Sequence, residues 1–198
     1  MLKLLYGAGW AYLAVCGLAI GTYKATAQAL IRTPHAVAGF PEHGGDAGRW
    51  FLSFKQYCNS VEVETAHQRF PPPSSREGKA FSAACFALAG KIDRARARIE
   101  ELPAGQRAYA AGIVFGVGHP VADAGDDESA GPIMRLVLEF QPDNYMALYH
   151  AGTSEKILGQ DALARRHLTR FLELYGASDG WTASARRQLA ELGVKVDR

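Results

Sequence analysis

The chain has 198 residues, 48% of them hydrophobic, and carries 22 Lys and Arg against 20 Asp and Glu, a formal net charge of +2. That balance excludes a chain held unfolded by its own charge and argues against a basic nucleic-acid binder, so no nucleic acid is expected among its partners. Three cysteines at this length exclude a disulfide-rich miniprotein. The charge is unevenly placed: no acidic residue precedes Glu42, and residues 1–32 hold only Lys3, Lys24 and Arg32.

Leu4 to Tyr23 is a run of 20 uncharged residues. As a helix rising about 1.5 Å per residue it spans roughly 30 Å, the thickness of a bilayer's hydrocarbon core. Tyr6 and Tyr23 lie near its ends, and Lys3 and Lys24 bracket it. Both are features of a membrane–water boundary. The pattern predicts a single transmembrane helix or signal anchor over 1–32, ending before Pro34. Two alternatives fit less well. A cleaved signal peptide would use Ala25-Thr26-Ala27, but Lys24 sits in its cleavage region. A lipoprotein anchor at Cys16 is opposed by Val15, where a small residue is normal. Gly17, Gly21, Ala25 and Ala29 recur every four residues. Such a stripe lets another helix approach closely in lipid, so a membrane-protein partner is expected there. The charges flanking the span are nearly tied. The three-residue tail before it favours an exported, periplasmic or extracytoplasmic domain in a bacterial single-pass membrane protein.

Residues 33–45, rich in Pro, Gly and His, read as a linker. Over 46–70, Trp50, Phe51, Phe54, Tyr57 and Cys58 recur at helical spacing and predict an amphipathic helix. Val61 to Thr65 alternates with period two, but no nearby strand candidate exists to pair with it, so helix is preferred. Pro71-Pro72-Pro73 closes the segment. Cys58 and Cys85 would form a disulfide in an exported domain; otherwise they are two buried thiols acting as small apolar residues.

From Ser75 onward the chain repeats. Gly90, Gly125 and Gly159 are separated by 35 and 34 residues, as are Ala95, Ala130 and Ala164. Ala83, Gly118 and Gly152 share those separations, and so do Ile99, Met134 and Leu168. A period near 34 with small residues at fixed offsets signals stacked helix–turn–helix units. Pro103 is expected to truncate one helix. Pro120 is expected inside or just after another, followed by an acidic loop over Asp123 to Glu128, and Pro132 to mark a late helix start. Ser178 to Leu192 reads as a capping helix.

This pattern resembles the tetratricopeptide repeat family, most clearly in Leu148, Ala151, Gly152, Gly159, Ala164, Leu168 and Phe171, with Pro142 where a preceding repeat closes. The resemblance covers about 76–176. It implies a short TPR-like α-solenoid of helical hairpins, which with the capping helix covers 76–198 and with the N-terminal transmembrane helix read above makes an all-α fold. It further implies that first helices line a groove. The groove positions are Met146, Tyr149, Thr153 and Lys156, then Phe115 and His119, and Ala80, Ala84 and Ala87 in the first copy. Tyr149 and Phe115 suit the core equally well. The Lys/Asn clamp that some members use for C-terminal carboxylates is not reproduced.

No two of the six histidines lie at i, i+4, and there is no Cys-x-x-Cys. His119 with Asp123, Asp126, Asp127 and Glu128 lacks the residue order of a calcium loop and reads as a solvated turn. No Gly-x-Ser-x-Gly or phosphate loop occurs, and Gly112 to Gly118 reads as close helix packing. The sequence therefore predicts no metal, no cofactor and no catalytic residue. It predicts a non-catalytic, membrane-anchored scaffold or accessory subunit holding a protein or peptide partner in a membrane complex. The alternative is a periplasmic adaptor or chaperone capturing transient client segments.

Overall fold

The computed structural model describes residues 45–195. The expected transmembrane helix, its Gly17, Gly21, Ala25 and Ala29 stripe, and nearly all of the linker lie outside the described residues. Among those residues every regular element is helical, and no helix is long and apolar enough to cross a membrane.

The segment predicted as one helix over 46–70 is in fact broken. Helix α1 runs Gly45–Phe54, a 3-10 turn covers Lys55–Tyr57, and α2 runs Val63–Arg69. Asn59 explains the interruption. Its Oδ1 accepts from the backbone N–H of Val61 (3.1 Å) and Glu62 (3.0 Å). A side chain that satisfies local amides in this way offers the backbone an alternative to continuing a helix. The aromatic face still does what its spacing implied. Phe51 stacks on Phe81 with centroids 4.9 Å apart, and Trp50, Phe54, His67 and Phe86 form one ring cluster.

Three helical hairpins follow. Helices α3 (Arg76–Leu88) and α4 (Ile92–Glu100) make the first, α5 (Ala104–Asp123) and α6 (Asp127–Phe140) the second, α7 (Tyr145–Ile157) and α8 (Asp161–Leu174) the third; α9 (Gly180–Glu191) packs on α8 and α7. Ser75, Asp126, Asn144 and Asp179 begin α3, α6, α7 and α9, each accepting from a backbone amide of the first turn. The recurring glycines are the turns. Gly90, Gly125 and Gly159 have φ of 72°, 89° and 68°, a region open mainly to glycine. Each closes its helix with paired bonds, as in Lys91 N–H to Phe86 O (2.9 Å) and Gly90 N–H to Ala87 O (3.0 Å). Gly193 ends α9 in the same way, with φ of 80° and 34 residues after Gly159. Thus α9 is built like a further first helix.

The other repeating positions are contacts between helices. Ala83, Ala95, Ala130, Ala164, Ile99, Met134 and Leu168 are completely buried. A Cβ on Gly118 would come within 2.7 Å of Ile133, and one on Gly152 within 2.8 Å of Leu168. Two helices meet at these points with no room for a methyl group.

Pro103 and Pro120 stand as expected, and Pro132 does not. Pro103 precedes α5 and leaves α4 short, α5 runs on past Pro120 to Asp123, and α6 starts at Asp127 with Pro132 inside it. Asp126 anchors that early start by accepting from Ser129 N–H (3.1 Å). The expected acidic loop shrinks to the turn between Asp123 and Asp127.

Candidate functional site

Two places bear on function. The first is a cleft of about 570 Å³ between α5 and the start of α7, lined by Ala108, Phe115, Phe140, Tyr145, Met146 and the connecting turn Gln141 to Asn144. Gln141 shapes one wall: its side-chain amide donates to Ala108 O at 2.6 Å, and its Nε2 is what a Cβ on Gly112 would meet. Gly112 and Gly118 therefore serve helix packing as expected, whereas Gly116 faces open space. Tyr145 is 44% exposed at the rim.

Two of the six expected groove residues, Phe115 and Met146, line this cleft. The others are placed elsewhere. Tyr149 is buried: its hydroxyl donates to Ser184 Oγ (2.9 Å), and its ring meets Phe171 and Trp181 edge-on. Thr153 accepts from Gln188 (3.2 Å), and Lys156 pairs with Glu191. All three residues face α9, which covers Tyr149, while Thr153 and Lys156 line a second cleft of about 370 Å³ with Ile157, Ser184, Arg187, Gln188 and Glu191. Ala80, Ala84 and Ala87 are likewise buried. Cys58 and Cys85 are joined in a disulfide that ties the segment after α1 to α3.

The second place gathers His119, Asp123 and His150. With α5 continuous through Pro120, His119 and Asp123 lie one turn apart on one face, and α7 brings His150 alongside. Asp123 Oδ1 lies 3.4 Å from His119 Nε2 and 3.6 Å from His150 Nε2, and all three donor atoms fall within 4.8 Å of one another. His150 is 1% exposed, and its Nδ1 is 2.8 Å from Asp127 Oδ1. Since that carboxylate only accepts, it is the Nδ1 of His150 that donates in this contact. Neither His119 Nε2 nor His150 Nε2, both buried, has a hydrogen-bond partner. The His119 ring stacks on Phe115 (4.7 Å) and meets His150 edge-on (5.1 Å). Burial is the largest influence on His119 and lowers its pKa; Asp123 raises it and His150 lowers it.

Polar burial continues along α7. Ser154 and Glu155 are fully buried, with Glu155 Oε2 2.7 Å from His167 Nδ1. Gly131 makes room for Ser154, whose Oγ would sit 1.9 Å from a Cβ at that position.

The sequence singled out His119 as a groove residue and the surrounding acids as a solvated turn; it did not connect either with His150. One available signal was the His119, Asp123 spacing of four, which becomes meaningful once α5 is read as unbroken. No protein-family model, curated protein or solved structure matches this chain.

Proposed function

We propose that the chain is a non-catalytic, membrane-anchored scaffold or accessory subunit built on a TPR-like stack of hairpins, holding a partner protein in a membrane complex. The observation that carries this reading is the cleft between α5 and α7. Most of the apolar surface of the three hairpins is consumed in their mutual contacts. Phe115, Phe140 and Met146, partly buried against the core, and the half-exposed Tyr145 also line an open cavity of about 570 Å³. An aromatic-lined pocket with a few polar groups at its rim, here Gln141, Asp143 and Asn144, suits the anchoring side chain of a protein segment. The N-terminal apolar run would hold that pocket at the bilayer, and the Cys58–Cys85 bond suits an extracytoplasmic compartment.

The test places a photo-activatable phenylalanine at position 145 in the full chain, crosslinks in intact membranes, and solubilises in mild detergent. One dominant crosslinked chain, lost on Met146→Asp while helicity is retained, is the expected result. A broad ladder of products favours the transient-client adaptor, and no product at 145 removes the cleft as a docking site.

A further inference from the structure

We propose that His119, Asp123 and His150 form a binding site for a divalent first-row transition ion, Zn²⁺ being the best fit, with Asp127 positioning His150. The inference goes beyond the scaffold reading and does not depend on it.

The donor chemistry comes first. Two imidazole nitrogens and one carboxylate oxygen are a common ligand set for such ions. His150 is prepared for the role by the side chain behind it. Asp127 accepts from Nδ1 at 2.8 Å, so the other ring nitrogen, Nε2, 3.6 Å from Asp123 Oδ1, is the one placed to ligate. A carboxylate behind a ligating histidine is the usual device for fixing its tautomer and ring orientation.

The distances make the second argument. Two groups meeting through a proton approach to about 2.7–3.0 Å. Asp123 Oδ1 instead stands 3.4 Å and 3.6 Å from the two Nε2 atoms, and neither contact is a hydrogen bond. Ligands about 2.0–2.1 Å from a tetrahedral zinc are separated by about 3.3 Å. The two Asp123 separations thus lie near the spacing of atoms arranged around an ion, and the three donors, all within 4.8 Å of one another, need only a small inward side-chain movement to share one.

Burial supplies the third. Nε2 of His150 belongs to a side chain only 2% exposed, and both Nε2 atoms are buried and without partners. Leaving such groups unsatisfied costs free energy, and an ion bound to both removes that cost. Asp123 is the exposed member, its side chain 44% accessible, so an ion has an entry path and a fourth position open to water or a partner's side chain. Because α5 belongs to the second hairpin and α7 to the third, the ion would clamp two hairpins next to the Phe115 cleft.

The experiment uses the full chain without a histidine tag, in mild detergent, stripped with chelator and desalted. Zn²⁺ is titrated calorimetrically, and Co²⁺ is followed by its visible absorption, which reports nitrogen and oxygen ligation. The expected result is one equivalent per chain and a higher melting temperature with Zn²⁺. His119→Ala and Asp123→Ala, at the less buried positions, should abolish the stoichiometric uptake. Asp127→Asn should weaken it about 10–100-fold. Circular dichroism establishes that each variant is folded. Should a variant fail to fold, the Co²⁺ spectrum of the parent chain alone decides, by showing or lacking imidazole ligation at one equivalent. Absence of uptake by the parent chain at 100-fold excess Zn²⁺, or equal uptake by folded His119→Ala and Asp123→Ala, overturns the proposal.

Discussion

Replacing Gly152 with Ala tests the helix contact on which the hairpin register rests. On an exposed helix the exchange stabilises by about 1 kcal/mol, because alanine loses less backbone freedom on folding. At Gly152 the new Cβ would lie 2.8 Å from Leu168 Cγ, 3.1 Å from its Cδ2 and 3.2 Å from its backbone nitrogen. The side-chain atoms could rotate away, but the backbone nitrogen moves only with α8. Overpacking of this kind costs about 1–3 kcal/mol, so a net loss of up to about 2 kcal/mol is expected. In a chain this long that lowers the melting temperature by roughly 4–8 °C. Gly116→Ala is the matched control: it lies within α5 with no atom within 4 Å of its Cβ, and should gain about 1 kcal/mol. Both variants are melted as full chains in the same detergent by circular dichroism. A Gly152→Ala chain stabilised as much as the Gly116→Ala control would refute the close approach of α7 and α8.

Removing the Cys58–Cys85 bond, by reductant or by Cys58→Ala with Cys85→Ala, should cost about 3.5 kcal/mol, since it frees a loop with a sequence separation of 27; an unchanged melting curve in reductant would show that the bond contributes nothing. His67 is buried, with Nδ1 2.7 Å from Val63 O and Nε2 3.0 Å from Ser82 Oγ, and burial is the main influence lowering its pKa. The folded chain therefore keeps His67 neutral while the unfolded chain protonates it near pH 6.5. Stability should be full above that pH and fall on acidification at up to about 1.4 kcal/mol per unit, until the lower folded-state pKa is reached. In His67→Gln that component of the slope disappears; an identical pH profile would rule His67 out as its source. Gly17→Leu with Gly21→Leu should reduce the yield of membrane complex in native gels, and an undiminished yield would remove the small-residue stripe as a contact.

The hairpin register was legible because it is written in residues with few physical alternatives. A left-handed turn demands glycine, as at Gly90, Gly125 and Gly159, and a backbone-to-backbone crossing demands alanine or glycine, as at Ala164 and Gly152. The break after Tyr57 was not legible, because Asn59 ends the helix with its own side chain while the apolar period continues across it. The burial of Tyr149 was hidden differently. Its spacing is equally that of a groove or a core residue, and the choice depends on whether another helix follows. Gly193, a fourth glycine at the same interval, is the mark that α9 would be shaped like a first helix and cover that face.

The histidine cluster shows how a helix end left open in the sequence can hide a spatial grouping. Proline in a helix removes a single backbone bond and crowds the preceding turn, a local cost of about 3 kcal/mol that packing can offset. In α5 the faces before and after Pro120 are both fixed by burial: Val117 and Gly118 against α6 on one side of it, Ala122 on the other. The helix therefore continues, and His119 and Asp123 keep a shared face. Breaking the helix at Pro120 in thought turns the same residues into a solvated loop with no defined spacing. His150 could not have been joined to them by local pattern at all, since it arrives from the next hairpin through the contact of Gly131 with Ser154 and of Asp127 with His150 itself. A glycine that looks like a helix breaker in the sequence is what lets α6 and α7 approach closely enough for a buried imidazole to reach its carboxylate.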